Sequence, residues 1–195
     1  ECLKYPAGRN YAESSLELTS KWALRSKLKF DELTARNDGD TRQYLFGIVQ
    51  GSTYKDLRKI ASLELVKIGF DGYALGGISV GEPEELMYEI IDYTLSILPE
   101  NSPRYVMGVG TPLDIIEAVA SGADIFDCVM PTRNGRNGTA FTKWGKVPLR
   151  NSKFTDDFNI IEGGCGCISC RGGYTRSYIR HLINSHEILG LRLVS

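Results

Sequence analysis

The sequence predicts an α/β fold built on a parallel sheet with helices over it, and three observations predict it. Four short apolar runs, YLFGIVQG (44–51), GYALGG (72–77), RYVMGVG (104–110) and ADIFDCV (123–129), close on or next to a glycine or a carboxylate. Their hydrophobicity is near-continuous rather than alternating, which means that both faces of each strand are covered. Amphipathic stretches separate them. Strand and helix alternating in this way make a βαβ series, which right-handed crossovers turn into a parallel sheet, open or closed. Four strands are half the complement of an eight-stranded barrel. An open doubly wound sheet is the other architecture, but no strand is followed by the phosphate fingerprint G-x-G-x-x-G.

The intervening helices carry their own punctuation. Over 53–68, Leu57, Ile60, Ala61 and Ile68 fall on one face, Ser52 or Thr53 can cap the start, and Gly69 ends it. Over 83–98, Pro83 suits the first turn, Glu84 and Glu85 complement the positive end of the dipole, and Met87, Ile90, Ile91, Thr94 and Leu98 form the stripe. Over 112–121, Thr111 caps, Pro112 opens and Gly122 stops. Residues 11–29 read as a further helix, with Trp22 and Leu28 packing. From 138 the pattern changes: GTAFTKWGKVPLRN reads as a β-hairpin turning at Lys143-Trp144-Gly145-Lys146, followed by a glycine- and cysteine-rich loop and a helix near 174–189. The expected organisation is an α/β unit over 1–137 and a smaller unit over 138–195.

Composition bounds the rest. With 195 residues, 42% hydrophobic, 24% charged and a net charge of −1, the chain reads as soluble and globular, not disordered or collagen-like. At this size roughly 70% of the unfolded surface can be buried without disulfide staples. No run of about 18 apolar residues occurs, and ECLKYPAGRN lacks the charged and apolar regions of a signal peptide, so a cytoplasmic location is expected. The chain opens without methionine and closes on LRLVS, so it reads as cut at both ends. Charge is distributed unevenly. Residues 1–132 carry 13 Lys or Arg against 20 Asp or Glu, whereas 133–180 carry 9 against 3, a local excess of +6. A basic block of this density fits contact with a polyanion, with a merely solvated surface as the alternative.

Two constellations carry chemistry. Cys165, Cys167 and Cys170 form C-x-C-x-x-C, and Gly163, Gly164 and Gly166 permit the tight turns that would let three thiolates close on one tetrahedral Zn²⁺. The metal would be structural, since three thiolates and one more ligand leave no open position for water. His181 and His186, the two histidines of the chain, could each supply that ligand or simply sit on a helix surface. The second constellation is DCVMPTRNGRNG (127–138). In a parallel α/β sheet ligands meet the carboxyl ends of strands, which singles out Asp127 as nucleophile, general base or metal ligand, or simply as a cap of the following loop. After it come Arg133 and Arg136, three apart with Asn134 and Gly135 between, on a polar loop whose forked donors suit phosphates or base edges. Cys128 reads as a small packing residue, because no histidine is placed to activate it. Gln50 and the amides of Gly76 and Gly77 are donors and acceptors fit to read a planar base, which Tyr105 and Met107 could sandwich.

FGIVQG, ALGGISVGEP, YVMGVGTP, IFDCVMPTRNGRNG and the cysteine motif followed by SYIRHLINSHEILG, in that order, resemble the bacterial tRNA-guanine transglycosylase family over essentially the whole chain. The resemblance implies a (β/α)₈ TIM barrel, here its carboxyl-terminal half, with a zinc-binding subdomain. It implies exchange of guanine at the wobble position of tRNA carrying a GUN anticodon for a 7-deazaguanine, on the route to queuosine. Asp127 matches the nucleophile; Gln50, Gly77, Ile78, Tyr105 and Met107 match the base pocket. Gly108, Val109, Gly110, Thr111, Pro112, Leu113 and Asp114, with Thr132, Arg133, Asn134, Gly135 and Arg136, match the tRNA-contacting segments. Val80, where queuine-using relatives tend to carry glycine, points to 7-aminomethyl-7-deazaguanine (preQ1) as incoming base. A homodimer is also implied.

What the chain lacks is equally specific. The family's general acid/base aspartate sits in the amino-terminal half, a base-binding aspartate lies directly before the residues matching Glu1 and Cys2, and the fourth zinc ligand is a histidine that would fall just past Ser195. The chain alone is therefore expected not to complete turnover. A non-catalytic tRNA-binding relative is the alternative reading, opposed by the presence of Asp127 and of the intact TRNGR stretch.

Overall fold

A computed structural model describes residues 2–35 and 42–195. The chain divides into two compact units, 1–128 and 129–195. The sequence pattern changes at 137/138, and the difference is one short helix that packs within the second unit.

The first unit alternates helix and strand: α1 (Arg9–Thr34), β1 (Phe46–Val49), α2 (Lys55–Ile68), β2 (Gly72–Leu75), α3 (Glu84–Leu95), β3 (Arg104–Val106), α4 (Pro112–Ala120) and β4 (Ile125–Phe126). All four strands are parallel in the order β1-β2-β3-β4, as right-handed βαβ units require. β2 is buried at every position, which is why its sequence shows no alternation. Val49, Leu75 and Val106 from successive strands meet Leu57, Ala61, Leu65, Ile90, Ile91 and Leu95 from α2 and α3 in one core. α4 begins as its sequence predicts, with Thr111 and Asp114 forming a reciprocal capping box and Pro112 in the first turn.

Several expectations are corrected. Tyr54 stands at the N-cap of α2 without a side-chain capping bond, and Ser52 is instead buried with φ +52°. Ile60 is exposed, because the buried face of α2 runs through Leu57, Arg58, Ala61, Ser62 and Leu65. α1 is longer than read, and Trp22 and Leu28 are exposed rather than packed. Arg25 lies over the Trp22 ring, and Trp22 lines an open apolar groove with Leu18, Phe46, Ile48 and Phe70.

The second unit holds α5 (Met130–Arg136), the hairpin β5 (Thr139–Thr142) and β6 (Gly145–Pro148), and the helices α6 (Ile168–Arg171), α7 (Arg176–Asn184) and α8 (Ile188–Val194). The hairpin turns on Lys143 and Trp144, with Thr142 facing Gly145. The single helix expected near 174–189 is two, because His186 adopts φ +58° between α7 and α8. Leu149, Ile179, Leu182, Ile183 and Leu193 form this unit's core with Cys170 at its edge. The TRNGR stretch, expected as a loop, is helix α5: Gly135 lies so close to Ser195 that a Cβ would clash, and this packing overrides the weak helix propensity of Asn and Gly.

Candidate active site

Strand register sets the site's first row. Val49 faces Leu75, Leu75 faces Val106 and Val106 faces Phe126, so the next residue of each strand end, Gln50, Gly76, Met107 and Asp127, continues the same row at the carboxyl edge. Asp127 stands two strand spacings from Gly76, about 10 Å.

Asp127 is exposed, and its Oδ1 accepts two hydrogen bonds, from the Tyr105 hydroxyl at 2.6 Å and from the Gly108 amide at 3.0 Å. Gly108 can present that amide because its φ is +74°, a conformation that costs glycine little. Oδ2 has no hydrogen-bond partner among the described residues. The Tyr105 hydroxyl first, and the Gly108 amide second, hold the Asp127 carboxyl below its ordinary range, so it is ionised at neutral pH. The same bond pushes the Tyr105 hydroxyl up. The arrangement is a fixed carboxylate with one oxygen tied and the other available, which suits a nucleophile or a base. Tyr105, read from sequence as pocket lining, also orients this carboxylate.

A lowered carboxyl pKa contributes stability and reactivity that are present above the ordinary carboxylate range and are lost as pH falls through the lowered value. Tyr105→Phe removes the largest cause, so the acid limb of the kcat/KM profile for the Asp127-dependent reaction should move to higher pH, with the alkaline limb unchanged.

On the other side of the row, the Gln50 carboxamide lies against Gly76 and Gly77 so closely that a Cβ at either glycine would overlap it. Gly77 adopts φ +66°, and Ile78 beyond it is buried. Beneath them lies a residue that the sequence reading passed over. Arg58 is wholly buried, and its guanidinium donates to four main-chain carbonyls: Ser52 at 2.8 Å, Val49 at 3.1 Å, Gly76 at 2.8 Å and Gly77 at 3.1 Å. Burial pushes its pKa down to about 10, which leaves it charged at neutral pH. The loop after Ile78 is braced by Glu82, whose two carboxylate oxygens accept from the Ser79 and Val80 amides.

The segment 108–114 divides by burial. Val109 belongs to the core and Asp114 is buried at the cap, where it also accepts from the Tyr88 hydroxyl at 2.7 Å; Gly108, Pro112 and Leu113 are exposed. Gly110 packs against Cys128, in keeping with a packing role for that thiol. In the second unit, Thr132, Arg133 and Arg136 are exposed on α5, Asn134 donates back to the Met130 carbonyl at 2.9 Å, and Gly135 is buried.

The sulfurs of Cys165, Cys167 and Cys170 lie within 4.8 Å of one another, a group that could hold a metal ion. Cys167 caps α6, its sulfur accepting from the Cys170 amide at 3.5 Å, and that bond lowers its pKa. Burial pushes the Cys170 thiol up to about 11. Three converging thiols, one of them buried, fit the donor set of a soft tetrahedral cation. Among the described residues neither His181 nor His186 joins the group.

A family model described as queuine tRNA-ribosyltransferase matches residues 1–195. The chain belongs to that family. Curated relatives named queuine tRNA-ribosyltransferase agree: those of Pelotomaculum thermopropionicum and Caldanaerobacter subterraneus subsp. tengcongensis are each 52% identical over 195 residues, and that of Rickettsia bellii 48%. Each match covers all of this chain but 50–52% of the relative, so the chain spans about half the length of the curated queuine tRNA-ribosyltransferases it matches. No helix among the described residues is long and apolar enough to cross a membrane.

Proposed function

We propose that the protein containing this chain is a tRNA-guanine transglycosylase that exchanges guanine at the wobble position of GUN-anticodon tRNA for preQ1, in queuosine synthesis. One observation carries the reading. A carboxylate tied through one oxygen stands on the same strand-end row as the Gln50 and Gly76 pair that can read a base.

In this reading Asp127 Oδ2 attacks C1′ of the wobble ribose. The C1′–N9 bond breaks, guanine leaves with the bonding pair, and a ribosyl-aspartate ester forms. The general acid/base that the family carries in its amino-terminal half would give departing guanine a proton and take the N9 proton of preQ1, which attacks C1′ from the face guanine left and releases the carboxylate, with overall retention. Tyr105 and Gly108 keep Asp127 ionised and aimed. Gln50, Gly77, Ile78, Tyr105 and Met107 form the base pocket, and Val80 favours preQ1 over larger deazaguanines. Exposed groups of 108–114 and of Thr132 to Arg136 contact the tRNA backbone and the neighbours of the wobble nucleotide.

The sheet of the first unit is then the carboxyl-terminal half of a (β/α)₈ barrel, with the second unit as its zinc subdomain. Cys165, Cys167 and Cys170 would hold a structural Zn²⁺, with a histidine beyond this chain as fourth ligand. When bound, the ion supplies cross-linking of the loop and takes no part in the exchange. The five cysteines form no disulfide, which suits a cytoplasmic enzyme, and the resemblance adds a homodimer.

The test is uptake of labelled guanine into tRNA bearing G at the wobble position, with an A34 variant as control. Uptake with G34 and none with A34 is expected. tRNA binding should also weaken steeply with salt, since each phosphate neutralised contributes roughly 0.7–0.9 to the log–log slope. A flat salt profile, or uptake that ignores the wobble base, would contradict the reading.

A further inference from the structure

Arg58 is a buried cation that hydrogen-bonds to no carboxylate; the Glu82 carboxylate acts on it through space and does not offset the cost of its burial. Its four hydrogen bonds all end on main-chain carbonyls at the carboxyl ends of β1 and β2. Burying a charge with no carboxylate bonded to it is costly, and a tie between two strand ends needs only neutral donors. The consequence of the charge shows at the two peptides it grips. Nη1 holds the Gly76 carbonyl and Nη2 the Gly77 carbonyl. In a trans peptide the N–H points opposite to the carbonyl, so the amides of Gly77 and Ile78 are turned away from Arg58. Both residues are buried, yet neither amide has a hydrogen-bond partner among the described residues. Buried amides are nearly always paired, so two consecutive unpaired ones ask for an acceptor brought from outside. The carboxamide of Gln50 lies beside them.

We propose that Arg58 is a positioning residue of the base site, which aims and polarises the Gly77 and Ile78 amides toward the exocyclic oxygen of a purine-type base. It thereby stabilises the charge that base acquires on leaving. The inference rests on the transglycosylase reading. As the Asp127 oxygen bonds to C1′ and the C1′–N9 bond breaks, the electron pair passes to the base and spreads through the ring to its exocyclic oxygen, until an acid returns a proton to the ring nitrogen. Donors fixed in advance at the atom where charge collects lower the barrier, and a hydrogen bond accepted by each carbonyl strengthens the donor on the same peptide.

The experiment compares wild type, Arg58→Met and Arg58→Lys in the intact protein. Single-turnover cleavage is measured with guanine, and with 2-aminopurine, which lacks the oxygen, at the wobble position; free guanine binding is measured by calorimetry. Arg58→Met should slow guanine release about 100-fold, the scale of losing one oxyanion donor. It should slow 2-aminopurine release far less, and KM for tRNA should stay within threefold. Arg58→Lys, which keeps the charge with fewer matched donors, should fall between, with a reduced preference for guanine. A merely structural role would slow both bases alike, and equal loss would overturn the proposal. Should Arg58→Met fail to fold, an undiminished guanine preference in Arg58→Lys would overturn it as well. Guanine binding separates this inference from the Asp127 reading: Asp127→Asn should retain it and Arg58→Lys should weaken it at least threefold. Wild-type protein that binds guanine yet never cleaves tRNA would defeat the Asp127 reading alone.

Discussion

Asp127→Asn in the intact protein is expected to reduce guanine exchange into tRNA by at least about three orders of magnitude, the scale seen when a covalent nucleophile is removed. The carboxamide keeps the shape of the side chain and can still accept from Tyr105 and Gly108, the two partners of Oδ1. What it loses is the negative charge on the second oxygen. KM for tRNA should therefore change little while kcat collapses, which separates loss of chemistry from loss of binding. The variant should also lose the acid limb that Tyr105 and Gly108 hold at low pH, because no carboxylate remains to protonate. A variant retaining a tenth of wild-type kcat would assign the carboxylate to orientation of the substrate.

Cys170→Ser has the second large effect, on the unit 129–195. That unit is small, with a core of few buried side chains, and small domains depend on staples. Structural zinc contributes roughly 10–16 kcal/mol of apparent binding free energy in small zinc folds, so losing one of the thiolates removes a large part of the support. Cys170 is the most informative of the three, since it is buried beside Ile179 and Leu193 and links the metal group to the core. The measurement is metal content with thermal unfolding, each before and after a chelator. The intact wild-type protein should carry about one zinc per chain and lose stability on chelation. Cys170→Ser should carry far less, unfold at lower temperature and ignore the chelator. Stoichiometric zinc in the variant would remove Cys170 from the ligand set.

The sheet was legible because its strands are covered on both faces and so read as unbroken apolar runs. Once the strands are located, the rule that ligands gather at their carboxyl ends brings Gln50, Gly76, Gly77, Met107 and Asp127 into view from spacing alone. Less legible was everything that depends on a polar side chain turned inward. Helical periodicity assigns a charged residue to the solvent face, so Arg58 and Ser62 were passed over in favour of Ile60, which is exposed. The signal that could have found Arg58 is its spacing: it directly follows Leu57 and stands three residues before Ala61, on the stripe itself. Glu82 was invisible for another reason. Its role is to accept two main-chain amides of a loop in which Ser79 has φ +57°, and no local propensity records that. Helix α5 was missed because Asn and Gly argue for a loop, and only packing of Gly135 against Ser195 reverses the preference. Trp22 and Leu28 fail in the opposite direction, since an apolar residue on an amphipathic helix need not find a partner within the same unit.

The central claim is a covalent bond between residue 127 and a ribose. Denaturing the intact protein during exchange with a tRNA anticodon stem-loop, digesting both components and sequencing the modified peptide by mass spectrometry tests it directly. One added ribose phosphate lacking its base is expected, carried by Asp127 on the peptide that follows β4 and absent from Asp127→Asn. A modification mapped to any other side chain, or efficient exchange with no protein-bound RNA at any time, would contradict it.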